Sequence, residues 1–451
     1  MKILVVTNFY PPHHIGGYEL GCRDVVEKLR ARGHTLRVLT SSFRHRDISD
    51  PPGETEVERS LQLDGGPGDP PHDKRAECAK LSDAIRRFGP DAVYFWNQGG
   101  LCYWLPLAAR WHRKPVAFFL SDTNFISWRI AAWLRRWTPV GTLRCDVPAR
   151  SEAEGGTNAA ERVSGQPVPS PDAALGDGER RSAPSLPNAK AQIAARFIQA
   201  VFGKTFLVQG RPVIAGRTCH FASEFLRGVA EKNGIRVAEK SSLVAHWGIE
   251  PSQFAAAPRE RWPVRRLLYA GQMIPQKGVH TAIAAFALLA IEPGFEDLTF
   301  SLAGGGMHPD YEEKLRALPA QLGVAGRVRF LGKVPRAELP HIYAEHDALI
   351  FPSEWDEPFA ITPLEAMASG LAVVGTTTGG SGELFRNRET ALTFAAGEAA
   401  DCARAIRELC GDRDLFQTIS RNAQREVREK HTLGAMVDKI EESLRKLKPQ
   451  A

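Results

Sequence analysis

Short apolar runs alternate with longer segments in which apolar residues recur every three or four positions, almost from one end of the chain to the other. Runs at 2–7, 35–40, 56–63, 92–96, 116–120, 218–222 and 242–247 predict strands in the first half. Those at 266–271, 298–303, 328–331, 348–351, 372–376 and 391–394 predict strands in the second. Helical patterns fill most of the gaps. Such alternation signals α/β architecture with parallel sheets, because joining two parallel strands needs a crossover and the crossover is normally a helix. The first run has only four strongly apolar residues before Asn8, Tyr10, Pro11 and Pro12, too few for the apolar region of a signal peptide. No run of about 18 apolar residues predicts a membrane span.

The pattern stops in one place. From 141 to 191 Ser, Gly, Pro, Ala and charged residues dominate, as in Gln166-Pro-Val-Pro-Ser-Pro171, and little there could bury against a sheet. Such a composition does not offset the entropy of ordering about 50 residues, so a disordered or loosely packed insertion is expected. Stretches 44–55 and 65–71 read as long loops of the same domain. The Pro- and Arg-rich segment 258–263 reads as a linker. Expected divisions are therefore an N-terminal α/β domain, 1–258, a C-terminal one, 264–430, and a terminal helix, 431–451, whose one charged side suits packing back across the domains.

Composition narrows the class. With 451 residues the chain can bury more than one core, and 43% apolar with 24% charged residues is ordinary for a folded globular protein. A knottin or a coiled coil is excluded. Seven scattered cysteines, odd in number and without a C-x-x-C pair, read as reduced thiols of a cytoplasmic protein rather than a disulfide framework or zinc site. Net charge is +6, and residues 101–150 alone carry eight Lys or Arg against Asp122 and Asp146. Five of the nine Trp share that stretch, a combination suited to a membrane interface or an anionic, sugar-bearing partner. A solvated basic face over a Trp-rich core is the alternative. Within it, 124–137 places Ile126, Ile130, Trp133, Leu134 and Trp137 on one helical face, to lie on an anionic bilayer or to face a core. Nucleic acid is not an expected partner, since the charge is local and no recognition motif accompanies it.

The most informative stretch is Pro352-Ser-Glu-Trp-Asp-Glu-Pro-Phe-Ala-Ile-Thr-Pro-Leu-Glu-Ala-Met-Ala-Ser-Gly370. It follows a predicted strand and opens a helix near Ala360, which leaves the N–H groups of Phe359, Ala360 and Ile361 directed at whatever lies beyond the strand ends, an anion site. Glu357 stands just before this helix and Glu365 about a turn and a half inside it. Carboxylates suit hydroxyl-rich ligands because each can accept from two neighbouring hydroxyls. The only D-x-D, Asp412-Arg-Asp414, reads as a capped turn between helices, and no metal site is expected.

With Gly16-Gly17, Tyr269-Ala-Gly-Gln-Met-Ile-Pro-Gln-Lys-Gly278, Leu302-Ala-Gly-Gly-Gly306, Phe330-Leu-Gly-Lys-Val334 and Gly379-Gly380 in this order, the chain resembles the retaining glycosyltransferases of family 4. The similarity is continuous over roughly 265–400 and patchy before that. It implies the GT-B fold, two Rossmann-like domains facing across a cleft, with a nucleotide-sugar donor held mainly by the C-terminal one. By resemblance Glu357 holds the donor-sugar hydroxyls, Glu365 grips the ribose, Lys277 neutralises the leaving diphosphate and Val334 lies beside the base. Gly16 and Gly17 let the backbone approach the phosphates and acceptor, and Gln272, Phe359, Ala360, Ile361 and Thr362 complete the donor-binding set. Transfer with retention to a saccharide or lipid-linked acceptor follows, without cofactor or metal, in cell-envelope or exopolysaccharide synthesis at the inner face of the membrane.

Three departures matter. Gly271-Gln272 stands where the family often has Gly-Arg, which removes a bidentate phosphate donor. Ala360 replaces a usual glycine. Leu120-Ser121-Asp122 stands where many members carry a His beside an Asp, so Asp122 becomes the candidate at the reacting centre; otherwise it caps the helix that follows. On plainer grounds Lys277 could be a surface lysine, Gly16-Gly17 a helix-entry turn and Gly304 to Gly306 an empty loop. Rival functions are a GT-B sugar-nucleotide epimerase and a non-catalytic sugar-nucleotide scaffold.

Overall fold

The computed structural model describes residues 1–46, 48–63, 73–102, 104–122, 207–208, 211–212, 218–232, 242–254, 261–306 and 308–447. The expected insertion 141–191, the helix 124–137 and the loop 65–71 lie outside these residues. The strands of the first half are β1 (Lys2–Val6), β2 (Thr35–Ser41), β3 (Val57–Leu61), β4 (Ala92–Phe95), β5 (Val116–Leu120), a short antiparallel pair β6 (Leu207–Val208) and β7 (Arg211–Pro212), β8 (Thr218–Phe221) and β9 (Ser242–Val244). All but β6 and β7 form one parallel sheet of order β3-β2-β1-β4-β5-β8-β9. Helices α1 (Gly17–Ala31), α2 (Lys74–Phe88), α3 (Leu105–Trp111) and α4 (Glu224–Lys232) belong to this half.

The second sheet has strands β10 (Arg266–Ala270), β11 (Thr299–Ala303), β12 (Val328–Gly332), β13 (Ala348–Phe351), β14 (Ala372–Gly375) and β15 (Leu392–Thr393), all parallel, in the order β12-β11-β10-β13-β14-β15. Its helices are α5 (Val279–Ala290), α6 (Pro309–Gln321), α7 (Leu339–Glu345), α8 (Ile361–Ala368), α9 (Ala399–Gly411) and α10 (Arg413–Lys430), followed by the terminal α11 (Leu433–Arg445).

Central strands are buried along their whole length, β4, β5, β13 and β14 at every residue. Parallel strands covered by helices on both faces need this, which is why they read as unbroken apolar runs. The edge strands β9 and β15 are shorter than the sequence predicts. The run 391–394 pairs only at Leu392 and Thr393, and 242–247 leaves the sheet after Val244. Ala245 N–H still reaches Phe221 O at 2.9 Å, and the chain then turns to bridge Ile249 with Thr432.

Helix ends follow local chemistry. Asp73 accepts from the N–H groups of Arg75 and Ala76 at the start of α2, and Gly89, left-handed at φ 60°, ends it. Asp412 accepts from Leu415 N at the start of α10, the capped turn expected of D-x-D. The terminal helix α11 lies on the first half of the chain. His220 of β8, fully buried, links Tyr94 of β4 to Ser443 of α11, each at 2.9 Å, and burial pushes its pKa down to about 3, so it bonds as a neutral ring. Of the basic, Trp-rich stretch, Trp104 is half-buried and Trp111 is 72% exposed; Trp128, Trp133 and Trp137 lie outside the described residues. Among the described residues no helix is long and apolar enough to cross a membrane.

Candidate active site

In the second sheet the strand order reverses between β10 and β13. At such a switch the connections leave in opposite directions and open a crevice beyond the carboxyl ends of the strands. Lys277 follows β10 and Glu357 follows β13, and here they meet: Lys277 Nζ lies 2.5 Å from Glu357 Oε1. Ser353 Oγ donates to the same oxygen at 2.7 Å. Glu357 is 2% exposed, and its backbone is fixed as firmly as its side chain, since Gly380 N–H donates to Glu357 O at 2.6 Å. Gly379 makes that approach possible: at φ 58° a Cβ there would stand 2.3 Å from Glu357 O.

Gly304 lets the neighbouring strand ends close up. Its φ is 140°, and a Cβ would stand 1.8 Å from Gly271 O. Gln272 follows at once, its carbonyl accepting from the Tyr269 hydroxyl at 2.6 Å. At the end of β12, Lys333 lies against Gly305, a Cβ on which would meet its Cγ at 3.0 Å. Val334, the next residue, is half-buried.

Helix α8 begins one residue after the expected start, with Ala360 extended at its cap. The N–H groups of Ile361 and Thr362 make no hydrogen bond among the described residues. Phe359 offers only its backbone, because its ring is 1% exposed and packed against His246 and His431 at centroid distances of 5.4 and 5.8 Å. Glu365 is 6% exposed and accepts from the hydroxyl of Tyr343, on α7, at 2.9 Å. Burial raises its pKa, opposed by that hydrogen bond and by the charge of Arg336. Arg336 in turn pairs with Asp24 of α1 at 2.6 Å, so a cation bound to the first half of the chain acts electrostatically on this carboxylate of the second.

The first half contributes the start of α1. Gly16 N–H donates to Glu19 Oε2 at 2.8 Å, half of a capping box. A Cβ on Gly17 would stand 3.4 Å from Ile361 Cδ1, so the starts of α1 and α8 are in contact. Tyr18 stacks on Trp247 at 5.8 Å and 21°. Burial, and after it the charges of Glu357, Asp122 and Glu19, hold the Tyr18 pKa well above the ordinary value for a phenol. Asp122, just beyond β5, thus shares one neighbourhood with Tyr18 and Glu357. The helix that it would cap lies outside the described residues.

Geometry therefore gathers Gly16, Gly17, Asp122, Lys277, Glu357, Ile361, Thr362 and Glu365 around the contact of α1 with α8, with the Phe359 ring in the packing behind it and its backbone at the helix start. Sequence reasoning missed Tyr18, Glu19, Asp24, Arg336, Tyr343 and Ser353. Glu19 carried a signal, the three-residue spacing from Gly16; Tyr343 and Arg336 reach Glu365 from elements whose placement no local pattern encodes.

Comparison with known proteins agrees with this organisation. Residues 258–426 match the family described as glycosyl transferases group 1. A glycogen synthase of Mycobacterium tuberculosis is 34% identical over 183 residues, 39% of this chain and 42% of that one. The lipopolysaccharide core biosynthesis mannosyltransferase LpsB of Rhizobium meliloti is 33% identical over 156 residues, 34% of this chain and 43% of that one. The chain thus matches about two fifths of the length of these curated relatives. Across its whole length it is similar to solved structures at lower identity: HepE of Anabaena in complex with UDP (20% identical, TM-score 0.64, 99% of this chain and 100% of that one) and the glycosyltransferase WaaG (16%, 0.60, 98% of each). Two parallel Rossmann-like sheets with this likeness end to end give the chain the GT-B fold, and its residues 258–426 match the glycosyl transferases group 1 family.

Proposed function

We propose that the protein is a retaining glycosyltransferase that moves a sugar from a nucleotide-sugar donor to a saccharide or lipid-linked acceptor without a metal. The observation that carries this reading is the Lys277–Glu357 pair at the switch point, with Glu365 buried a turn and a half further into the same helix start. A nucleotide sugar presents a diphosphate, a hydroxyl-rich ring and a ribose. Lys277 with the free N–H groups of α8, then Glu357, then Glu365, match these three in order. UDP bound to HepE supports the donor class, and the mannosyltransferase LpsB supports a place in cell-envelope glycan synthesis.

In the reaction the bond from the anomeric carbon to the diphosphate breaks, and its electron pair goes to the phosphate oxygen. Charge grows there and is met by the Lys277 ammonium and the N–H groups of Ile361 and Thr362, already aimed and needing no reorganisation. Gln272 brings no charge, so Lys277 carries the greater share. Glu357 orients the ring, and the acceptor hydroxyl attacks the face that the diphosphate leaves, passing its proton to the departing phosphate oxygen. Gly16, Gly17 and Asp122 border the acceptor side.

Calorimetric titration of UDP-, GDP- and ADP-sugars into the wild type and Glu365→Ala tests the site. One donor should bind, and at least about tenfold more weakly to the variant, the loss expected for hydrogen bonds to a charged group. No binding of any donor overturns the reading. Binding without turnover over a broad acceptor panel favours a scaffold, and isomerisation of the donor without acceptor an epimerase.

A further inference from the structure

Tyr18 is the second residue of α1 and lies where the two halves of the site meet. Its ring is fixed from behind. Trp247, 1% exposed, stacks on it and packs in turn on Phe119 at 5.2 Å and Trp96 at 5.8 Å. Gly21, one turn along α1, gives that indole its room, since a Cβ there would stand 2.1 Å from Trp247 Cζ3. A residue this well supported holds its polar tip in one place.

The hydroxyl itself makes no hydrogen bond among the described residues. By contrast Tyr94, Tyr269, Tyr311 and Tyr343 place theirs on His220, Gln272, His280 and Glu365, and of the other described tyrosines only Tyr10, in the core of the first half, also lacks a partner. Tyr18 is half-buried, and carboxylates act on it from both sides: Glu357 from the second half, Asp122 and Glu19 from the first. With its pKa held high it stays protonated at neutral pH, a fixed donor that cannot serve as a base. The histidine expected at the end of β5 is replaced by Ser121, 2% exposed, so no imidazole from that position competes for the reacting centre.

We propose that Tyr18 is a further catalytic residue, its hydroxyl donating a hydrogen bond to the oxygen that joins sugar and diphosphate as that bond breaks. This rests on the glycosyl-transfer reading above. The C–O bond from the anomeric carbon to the diphosphate breaks with its electron pair going to the phosphate oxygen, the acceptor oxygen bonds to the anomeric carbon, the Tyr18 proton stays on the phenol oxygen, and the proton lost by the acceptor goes to the leaving phosphate. The hydrogen bond strengthens as charge builds, so it acts on kcat more than on ground-state binding.

The test compares the full-length wild type with Tyr18→Phe, which keeps the stack on Trp247 and removes only the oxygen. The donor is the UDP-, GDP- or ADP-sugar that binds the wild type, and release of nucleoside diphosphate, with water or a supplied sugar as acceptor, gives the rate. The expected result is an unchanged melting temperature, affinity for the free nucleoside diphosphate within twofold of wild type, and kcat lowered at least about tenfold. A kcat within twofold of wild type overturns the role of Tyr18 and leaves the transferase reading standing. A wild type that binds no donor, or binds one and never releases diphosphate, overturns the transferase reading and the role of Tyr18 with it.

Discussion

Lys277 Nζ and Glu357 Oε1 lie 2.5 Å apart although 80 residues separate them in the chain. Glu357 is almost wholly buried, whereas the Lys277 side chain is 24% exposed, so the pair is a fixed anion answered by a cation that still reaches the crevice. Ser353 satisfies one further site on the same oxygen. Removing the cation leaves a buried carboxylate with a single neutral donor, and removing the carboxylate's charge leaves a shape that still accepts from both partners.

Lys277→Met should therefore both destabilise the protein, by about 1–3 kcal/mol, the cost of a buried acceptor losing a partner, and weaken nucleoside diphosphate binding. Glu357→Gln should stay within about 0.5 kcal/mol of wild type, bind the diphosphate normally and lose about 100-fold or more in turnover. Urea unfolding and calorimetry separate the two patterns. Equal behaviour of both variants in binding and in turnover would refute the division of labour between them.

Glu365 carries a stability dependence of its own. Burial lifts its carboxyl above the ordinary value, and the Tyr343 hydroxyl and Arg336 only partly oppose this. A folded pKa above the unfolded one means that the native state holds the proton more tightly. This contribution is fully present below the unfolded pKa and is lost as pH rises through the folded value. Glu365→Gln, which cannot ionise, should melt above wild type at pH 7 and level with it at pH 4, while losing donor affinity at both. Melting temperature against pH for the two proteins gives the answer; a variant less stable than wild type at pH 7 contradicts it.

Much of this was legible in the chain, and what escaped was of one kind. Central strands such as β5 and β13 were visible because burial on both faces forces an unbroken apolar run. Glu357 and Glu365 were visible because one strand, one loop and one helix hold both, so spacing along the chain is spacing in the site. Tyr343, Arg336 and Asp24 surround Glu365 from α7, from the turn before it and from α1. Only the packing of separate elements brings those groups together, and packing leaves no period in the sequence. At Phe359 the chain's chemistry reaches the site only through the backbone, because the ring fills the space between His246 and His431. Edge strands were overestimated at β9 and β15, where apolar residues continue past the last ladder bond.

Gly304 tests the closeness of the strand ends. Its φ of 140° strains any residue with a Cβ, and that Cβ would fall 1.8 Å from Gly271 O, a backbone atom that cannot swing aside. Gly304→Ala should cost about 2–4 kcal/mol, combining backbone strain with overpacking. Because β10 and β11 would separate at the Gly271-Gln272 turn, nucleotide affinity should fall with it. Urea unfolding that places the variant within 0.5 kcal/mol of wild type, about the spread of a neutral surface change, would rule this contact out as a constraint.

The last helix supplies a pH dependence of opposite sign. Glu441 of α11 accepts from His34 Nε2 at 2.9 Å and Arg32 at 2.8 Å, and from Arg445 within its own helix. His34, then Arg32 and Arg445, hold its pKa down at about 2, against an ordinary value of 4.5. A folded pKa below the unfolded one gives stability that is present above pH 4.5 and is lost as pH falls towards 2. The side chain is 14% exposed; His34 is buried, but Arg32 and Arg445 are partly solvated, and solvent screening of these holds the contribution to about 1 kcal/mol. Glu441→Gln should be less stable than wild type by that amount at pH 7, the gap closing between pH 4.5 and 2 and narrowing at 1 M salt. Donor affinity should not change, because the candidate donor residues follow strands of the second sheet or stand at the start of α1, while Glu441 ties α11 to the opposite end of α1. A gap that persists at pH 2 would mean that the glutamate acts through packing and not through charge.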